Sequence, residues 1–302
     1  MGKKVADQIV EMLVSNNVKR IYAVTGDSLN ELNDAVRRSG KIKWIHVRHE
    51  EVGAYAAAAE AELDGLACCA GSSGPGHVHL INGLYDANRS GVPIIAIAST
   101  IGTAEMGVDY FQGTNTYKLF DDCSVYNELA TTPKQVPRML QTAIQHAIHK
   151  KGVAVFGLPG DVSAMSAEEN VTSMYNYNSE TVLRPSDNEM QRLADLVNKH
   201  PKISIYCGIG ARGAHDDIVK LAGLLKAPIG YSFRGKMGMQ HNNPYEVGMT
   251  GLLGVPSAFH AMHESDVVLL LGTDFPYEHF MPVKTKLFRL TKNQNDWVEG
   301  QS

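Results

Sequence analysis

The chain has 302 residues, 44% of them hydrophobic and 20% charged, a balance that excludes a disordered or fibrous chain and has room for two domains of about 150 residues. Its 28 basic and 32 acidic residues are interspersed and leave a formal net charge of −4, which excludes the basic face of a nucleic-acid binder. No apolar run approaches the ~20 residues of a transmembrane span, and the start leads into an amphipathic helix without the apolar core of a signal peptide.

Val5, Ala6, Ile9, Val10, Leu13 and Val14 recur at helical spacing, and that helix ends near Asn16–Asn17. Arg20 to Val24 reads as a short buried strand broken by Thr25-Gly26-Asp27-Ser28, and Ser28 is placed to cap a helix carrying Leu29, Leu32 and Val36. The alternation continues with a strand over 42–47, an Ala-rich helix over 50–63, a strand over 66–70, a glycine loop, and a helix over about 80–88. Strands over 93–98, 125–130 and 153–156 follow, with a helix over 136–149 before the last. Strand, turn, helix, strand in this rhythm predicts right-handed βαβ units and a parallel sheet covered on both faces.

From Asp161 to about Pro185 the pattern lapses into polar residues and reads as a linker. A second α/β unit is predicted from a helix over 193–198, a strand over 203–207, a helix over 218–225, and strands over 228–232 and 267–271. Four cysteines, Cys68, Cys69, Cys123 and Cys207, lack CxxC spacing and suit a reducing, cytoplasmic setting. The expected fold class is α/β, with two doubly wound parallel-sheet domains.

In open parallel sheets ligands sit outside the carboxyl ends of the strands. Four segments fall there in the first unit: Thr25-Gly26-Asp27-Ser28, Arg48-His49-Glu50-Glu51, Gly71-Ser72-Ser73-Gly74-Pro75-Gly76, and Tyr110-Phe111-Gln112. Glu50 closes a strand and opens a helix whose next residues, Gly53, Ala54 and Ala56 to Ala59, are too small to surround it with polar groups. A carboxyl group so placed could exchange a proton with a heterocyclic nitrogen. The plainer reading is a glutamate favoured by the helix macrodipole.

The 71–76 loop lets backbone approach a ligand, but it is not a Walker loop, because no Lys-Ser or Lys-Thr pair follows. Gly208-Ile209-Gly210-Ala211-Arg212-Gly213 matches GxGxxG between a strand and a helix, although the next strand ends in Ser232-Phe233-Arg234 rather than an acidic ribose partner. A flavin, an NADP-like ligand and a packed turn all remain open at that loop, and Gly272-Thr273-Asp274 offers a second backbone-rich turn. His77 and His79 imitate a metal pair, and His146 with His149 could share a helix face. Neither pair has a third ligand nearby, so structural or solvated histidines are expected and no metal site is assigned.

Taken together, several motifs resemble the thiamine-diphosphate-dependent pyruvate oxidase family, most of all its pyruvate:quinone branch. They are Arg48-His49-Glu50-Glu51-Val52-Gly53, Gly74-Pro75-Gly76, Asn82-Gly83-Leu84-Tyr85-Asp86-Ala87, Val24 to Ser28, Tyr110-Phe111-Gln112, Val247 to Leu252, and Leu271 to Tyr277. The resemblance covers about residues 3–286. It implies a pyrimidine-binding domain (1–165), a linker (166–185) and part of a central FAD-type domain (186–286).

By this resemblance Glu50 bonds the aminopyrimidine ring of thiamine diphosphate and promotes the tautomer that removes the thiazolium C2 proton. Phe111 and Gln112 fall beside the reacting centre, and Gly26, Asp27, Ser28, Gly74, Pro75, Gly76 and Asn82 line or flank the cofactor cleft. Gly208, Gly210, Ala211, Arg212, Thr250, Gly251, Leu252, Gly272, Thr273, Asp274 and Phe275 match flavin-contacting segments. The implied reaction is oxidative decarboxylation of pyruvate through hydroxyethyl-thiamine diphosphate and FAD, giving acetate with quinone reduction, or acetyl phosphate where oxygen and phosphate serve. The implied assembly is a homo-oligomer of two or four chains, with the active site formed between chains.

The chain departs from the family in lacking a Gly-Asp-Gly followed by a downstream asparagine pair, the element that holds Mg2+ and the diphosphate. After Lys286 the family continues with Ile-Gln-Ile-Asp, whereas this chain reads Leu287-Phe288-Arg289-Leu290. Back-translation of the tail in a shifted frame can restore Ile-Gln-Ile-Asp, so residues 287–302 are expected to be out of frame and the chain to be truncated and inactive alone. An acetolactate synthase-like carboligase and a non-catalytic nucleotide-binding remnant are the alternatives.

Overall fold

The computed structural model describes residues 2–168, 184–273, 277–282, 285–290 and 299–300. The chain divides into two units, 1–179 and 180–302. In order, the first unit holds α1 (Val5–Ser15), β1 (Arg20–Ala23), α2 (Asn30–Ser39), β2 (Lys43–His46), α3 (Glu50–Asp64), β3 (Ala67–Gly71), α4 (Pro75–His79) and α5 (Ile81–Ser90). It continues with β4 (Ile94–Thr100), α6 (Thr116–Phe120), β5 (Tyr126–Leu129), α7 (Val136–Lys150), β6 (Val153–Pro159) and α8 (Gly160–Ala164).

These six strands form one parallel sheet in the order β2-β1-β3-β4-β6-β5. Because side chains alternate across a strand, neighbouring residues feed opposite cores. Cys68, Ala70, Ile95, Ile97, Ala154 and Phe156 pack with α1, α2 and α7, whereas Ala67, Cys69, Ile94, Ala96, Val153 and Val155 pack with α3 and α5. Burial on both faces explains the unbroken apolar runs that marked these strands. Each fully buried Ile, Val or Phe contributes about 1.5–3 kcal/mol.

Two expectations change here. The helix expected over about 80–88 is present as α5, but a separate short helix, α4, precedes it, with Pro75 at its first turn where a missing N–H costs nothing. The polar stretch after Asp161 begins as structure: α8 occupies its first residues, and Ser166 forms an antiparallel bridge with Lys4. The rest of the expected linker, 169–183, lies outside the described residues.

The second unit holds α9 (Asp187–Lys199), β7 (Ile203–Cys207), α10 (His215–Leu225), β8 (Ile229–Tyr231), α11 (Lys236–Met239) and β9 (Glu246–Met249). Then come α12 (Pro256–His263), β10 (Val267–Leu271), β11 (Lys286–Leu290) and β12 (Glu299–Gly300). Its sheet order is β12-β11-β10-β7-β8-β9, parallel except for the β11–β12 pair. α9 starts six residues before its apolar signal, because Ser186 and Glu189 close a capping box. The segment that departs from the family pattern, Leu287 to Leu290, pairs in register with Val268 to Leu271. Among the described residues no helix is long and apolar enough to cross a membrane.

Candidate functional site

In the first sheet the chain leaves β1 for β2 on one side and β3 for β4 on the other. This reversal opens a crevice at the carboxyl ends of β1 and β3. The loops flanking it are joined directly: the Ser28 and Ser72 hydroxyls meet at 2.9 Å, the Ser73 N–H donates to Ser28 Oγ at 2.9 Å, and Ser72 Oγ donates to Asp27 Oδ1 at 3.4 Å. Ser28 therefore does not cap the following helix. It lies inside a 3₁₀ turn, Asp27–Leu29, and α2 starts after Leu29 with no side-chain cap. A hydroxyl engaged across the crevice is unavailable to its own helix.

Glu50 is the first residue of α3, and three residues separate it from the end of β2, so it does not close that strand. His49 precedes it in extended backbone and caps the helix, its ring nitrogen accepting from the Glu51 N–H at 3.3 Å. The Glu50 side chain points inward, and the residue is only 7% exposed. Oε2 lies 3.0 Å from His79 Nδ1. Oε1 lies over Gly76, where an added Cβ would come within 3.3 Å of it. Gly76 sits between this oxygen and Ser72, whose Cβ would be 3.1 Å from the same added atom. The 71–76 loop thus links the carboxylate to the Asp27–Ser28 turn.

Gly74 holds a φ of +68°, a left-handed conformation that favours glycine, and its missing side chain admits Gln112. Ser73 Oγ donates to Gln112 Oε1 at 3.1 Å. Phe111 is next to it and 82% exposed, with its ring 5.0 Å from that of Tyr110. The Asn82 amide donates to Glu51 Oε1 at 2.7 Å and ties α5 to α3.

The HxH pair separates. His77 is fully buried, with Nδ1 2.8 Å from the Ser99 carbonyl and Nε2 2.6 Å from Thr114 Oγ1. Burial pushes its pKa down, and the bond to Ser99 opposes that only in part. His79, read from the sequence as structural or solvated, instead faces Glu50. Two residues along a helix turn the side chain by about 200°, so one member enters the core as the other reaches the crevice; that angle was the available signal. No group of three or more metal-ligating side chains occurs among the described residues.

In the second unit the chain reverses between β7 and β10. Gly208 and Gly210 donate their N–H groups to the carbonyls of Leu271 and Gly272, at 2.9 and 3.0 Å. A Cβ on Gly208 would overlap the Gly272 carbonyl oxygen and lie 2.5 Å from Thr273 Cβ. These glycines are therefore needed for loop-to-loop packing, and a 3₁₀ turn, Ile209–Ala214, which includes Gly210, precedes α10. Ala211 is buried within that turn and Arg212 is exposed.

Beside the turn lies a cavity of about 420 Å³ bounded by Gly208, Phe233, Thr250, Leu252, Leu253 and Thr273, within the ~300–1,000 Å³ usual for ligand pockets. Gly251 and Gly272 also line it. Asp274 and Phe275 lie outside the described residues.

The fold defines a doubly wound α/β protein, with a cavity of ligand size at the switch point of its second sheet. Residues 3–119 match the thiamine pyrophosphate enzyme N-terminal TPP binding domain, and residues 190–293 match the thiamine pyrophosphate enzyme central domain. The chain belongs to the thiamine pyrophosphate enzyme family. It is 50% identical over 286 residues to an uncharacterized 42.6 kDa protein of Pseudomonas amyloderamosa, covering 94% of this chain and 72% of that one. It is 34% identical to the pyruvate oxidase of Lactiplantibacillus plantarum, covering 89% of this chain and 45% of the oxidase. It is 27% identical to the chloroplastic acetolactate synthase of Arabidopsis thaliana, covering 90% of this chain and 42% of the synthase. The chain thus spans less than half the length of the latter two.

Proposed function

We propose that the first unit binds the aminopyrimidine half of thiamine diphosphate and the second binds FAD, in an enzyme that oxidatively decarboxylates pyruvate. The observation carrying this reading is Glu50, a buried carboxylate with one oxygen tied and the other above a floor cleared by Gly76. Such an oxygen fits a ring nitrogen of a heterocycle that enters the crevice. When bound, thiamine diphosphate supplies the electron sink for decarboxylation and FAD the electron acceptor. Glu50 holds the proton at the ring nitrogen, Gln112 and Phe111 border the reacting side, and Asp27, Ser28, Gly74 and Pro75 form the wall. The flavin fits the cavity of the second unit, between the Gly208 turn and the apolar Leu252 and Leu253. No residue of this chain is assigned to Mg2+.

Quinone is the proposed final acceptor, with oxygen and phosphate as the other branch. The exposed Val52 and Tyr55 of α3 and Tyr85 of α5 support an oligomer of two or four chains. Free, buried thiols support a cytoplasmic setting.

A carboligase reading is favoured by the acetolactate synthase similarity, and the 34% against 27% identity favours the oxidase. The purified chain is tested for a flavin absorption spectrum, for thiamine diphosphate binding with and without Glu50→Gln, and for pyruvate-dependent flavin bleaching against acetolactate formation. Bleaching without acetolactate supports the oxidase and overturns the expectation that the chain is inactive alone. Acetolactate formation overturns it in favour of the carboligase, and bound flavin with no turnover supports a binding remnant.

A further inference from the structure

We propose that His79 is the positioning residue of the first crevice: it holds Oε2 of Glu50 so that Oε1 alone faces the floor above Gly76. This rests on the reading that Glu50 meets a ring nitrogen of the ligand. A carboxylate has two equivalent oxygens with about four acceptor directions, and an untied glutamate can present either of them. Here one oxygen is engaged by His79 Nδ1 at 3.0 Å, and the other borders the glycine-cleared floor.

His79 is itself held in place. It ends α4, whose rotation is locked two residues earlier by His77, bonded through both ring nitrogens to Ser99 and Thr114. One face of the His79 ring stacks on His49, with centroids 4.4 Å apart and planes inclined by 24°. His49 accepts the Glu51 N–H at Nδ1, so that nitrogen carries no proton and the stack does not set two cations face to face. The other charged neighbour is Glu51, 3.8 Å from His49 Nδ1 and bonded by Asn82. In this arrangement His79 donates from Nδ1, and its outer edge is left towards solvent with the side chain 44% exposed. Nδ1–H is the less common tautomer of a free imidazole, so it reports the bond directly.

The test begins with nitrogen-15 NMR of labelled histidine in the full chain without ligand. The expected result is a proton on Nδ1 of His79 in the unmodified chain, giving way to the Nε2–H tautomer in Glu50→Ala. An Nε2–H tautomer in the unmodified chain, or no change in Glu50→Ala, overturns the proposal. Thiamine diphosphate with Mg2+ is then titrated against variants. His79→Leu is expected to weaken binding about tenfold, and His79→Asn, which keeps a donor, to restore most of it. Adding His79→Leu to Glu50→Gln is expected to cost nothing further, whereas fully additive losses overturn the coupling. If Glu50→Gln binds as tightly as the unmodified chain, the cofactor reading fails and with it the purpose given to His79; the NMR result still decides whether the bond exists.

Discussion

Gly83 of α5 lies against Ala54 of α3 with no room for a methyl group between them: an added Cβ would be 2.6 Å from Ala54 Cβ and 2.9 Å from the Glu51 carbonyl oxygen. Through this contact α5 sets the height of the turn that carries Glu50. Glycine inside an exposed helix ordinarily costs about 1 kcal/mol relative to alanine, but here the sign reverses. Gly83→Ala is expected to destabilise the protein by about 2 kcal/mol through overpacking. Calorimetry should show the melting temperature fall by about 4–8 °C. An unchanged or higher temperature would show that the two helices can separate without loss.

Gly208 is confined in the second unit by the loop after β10, since the Gly272 carbonyl and Thr273 Cβ stand where its Cβ would go. Gly208→Ala is expected to cost about 1–3 kcal/mol and to disturb the cavity beside it. Urea unfolding followed by tyrosine fluorescence measures the first effect. If the variant keeps full stability, the packing role assigned to this glycine is wrong.

His77 carries a pH dependence whose sign follows from burial. Its pKa lies below the ordinary histidine value because burial penalises the cation. Between that lowered value and about 6.5 the unfolded chain binds a proton that the native chain does not. Its contribution is therefore present above about pH 6.5 and lost as pH falls towards the folded value, with a slope approaching ~1.4 kcal/mol per pH unit. His215 acts in the opposite sense: its hydrogen bond to Asp216 raises its pKa, so its contribution is lost as pH rises through the folded value, and exposure makes it small. The His77→Asn variant should show a flatter loss of stability between pH 6.5 and 5 in denaturant titrations. Parallel curves for variant and parent would refute this account.

All four cysteines are free and buried. Burial pushes the Cys69 and Cys207 thiols up to about 12 and Cys123 to about 11, and raises Cys68 well above the usual range. Reactivity requires both access and thiolate. The native chain is therefore expected to react with a disulfide reagent at pH 8 many times more slowly than the denatured chain, in which all four thiols should titrate. A rapid native phase worth one thiol would contradict the burial.

The alternation of strands and helices was legible in the residues, because a strand buried on both faces must be apolar throughout, as 94–98 and 153–156 are, and a covering helix must repeat every three or four residues, as 5–14 does. The positions of Glu50 and of the 71–76 loop near strand ends followed from that reading, whereas the family was legible only in the combined motifs. A boundary slipped where local chemistry extends an element past its apolar signal, at the Ser186–Glu189 box, and the short α4 opened by Pro75 carried no apolar signal of its own.

Tertiary structure decided the partners. Ser28 joins Ser72 rather than capping a helix, the half-exposed His79 meets Glu50, and the GxGxxG glycines serve the loop after β10. Each pair is separated by a crossover of at least one helix, and periodicity reports only which side of an element faces the core. Which two strand ends meet depends on the order of strands in the sheet, and that order follows from packing of the whole unit.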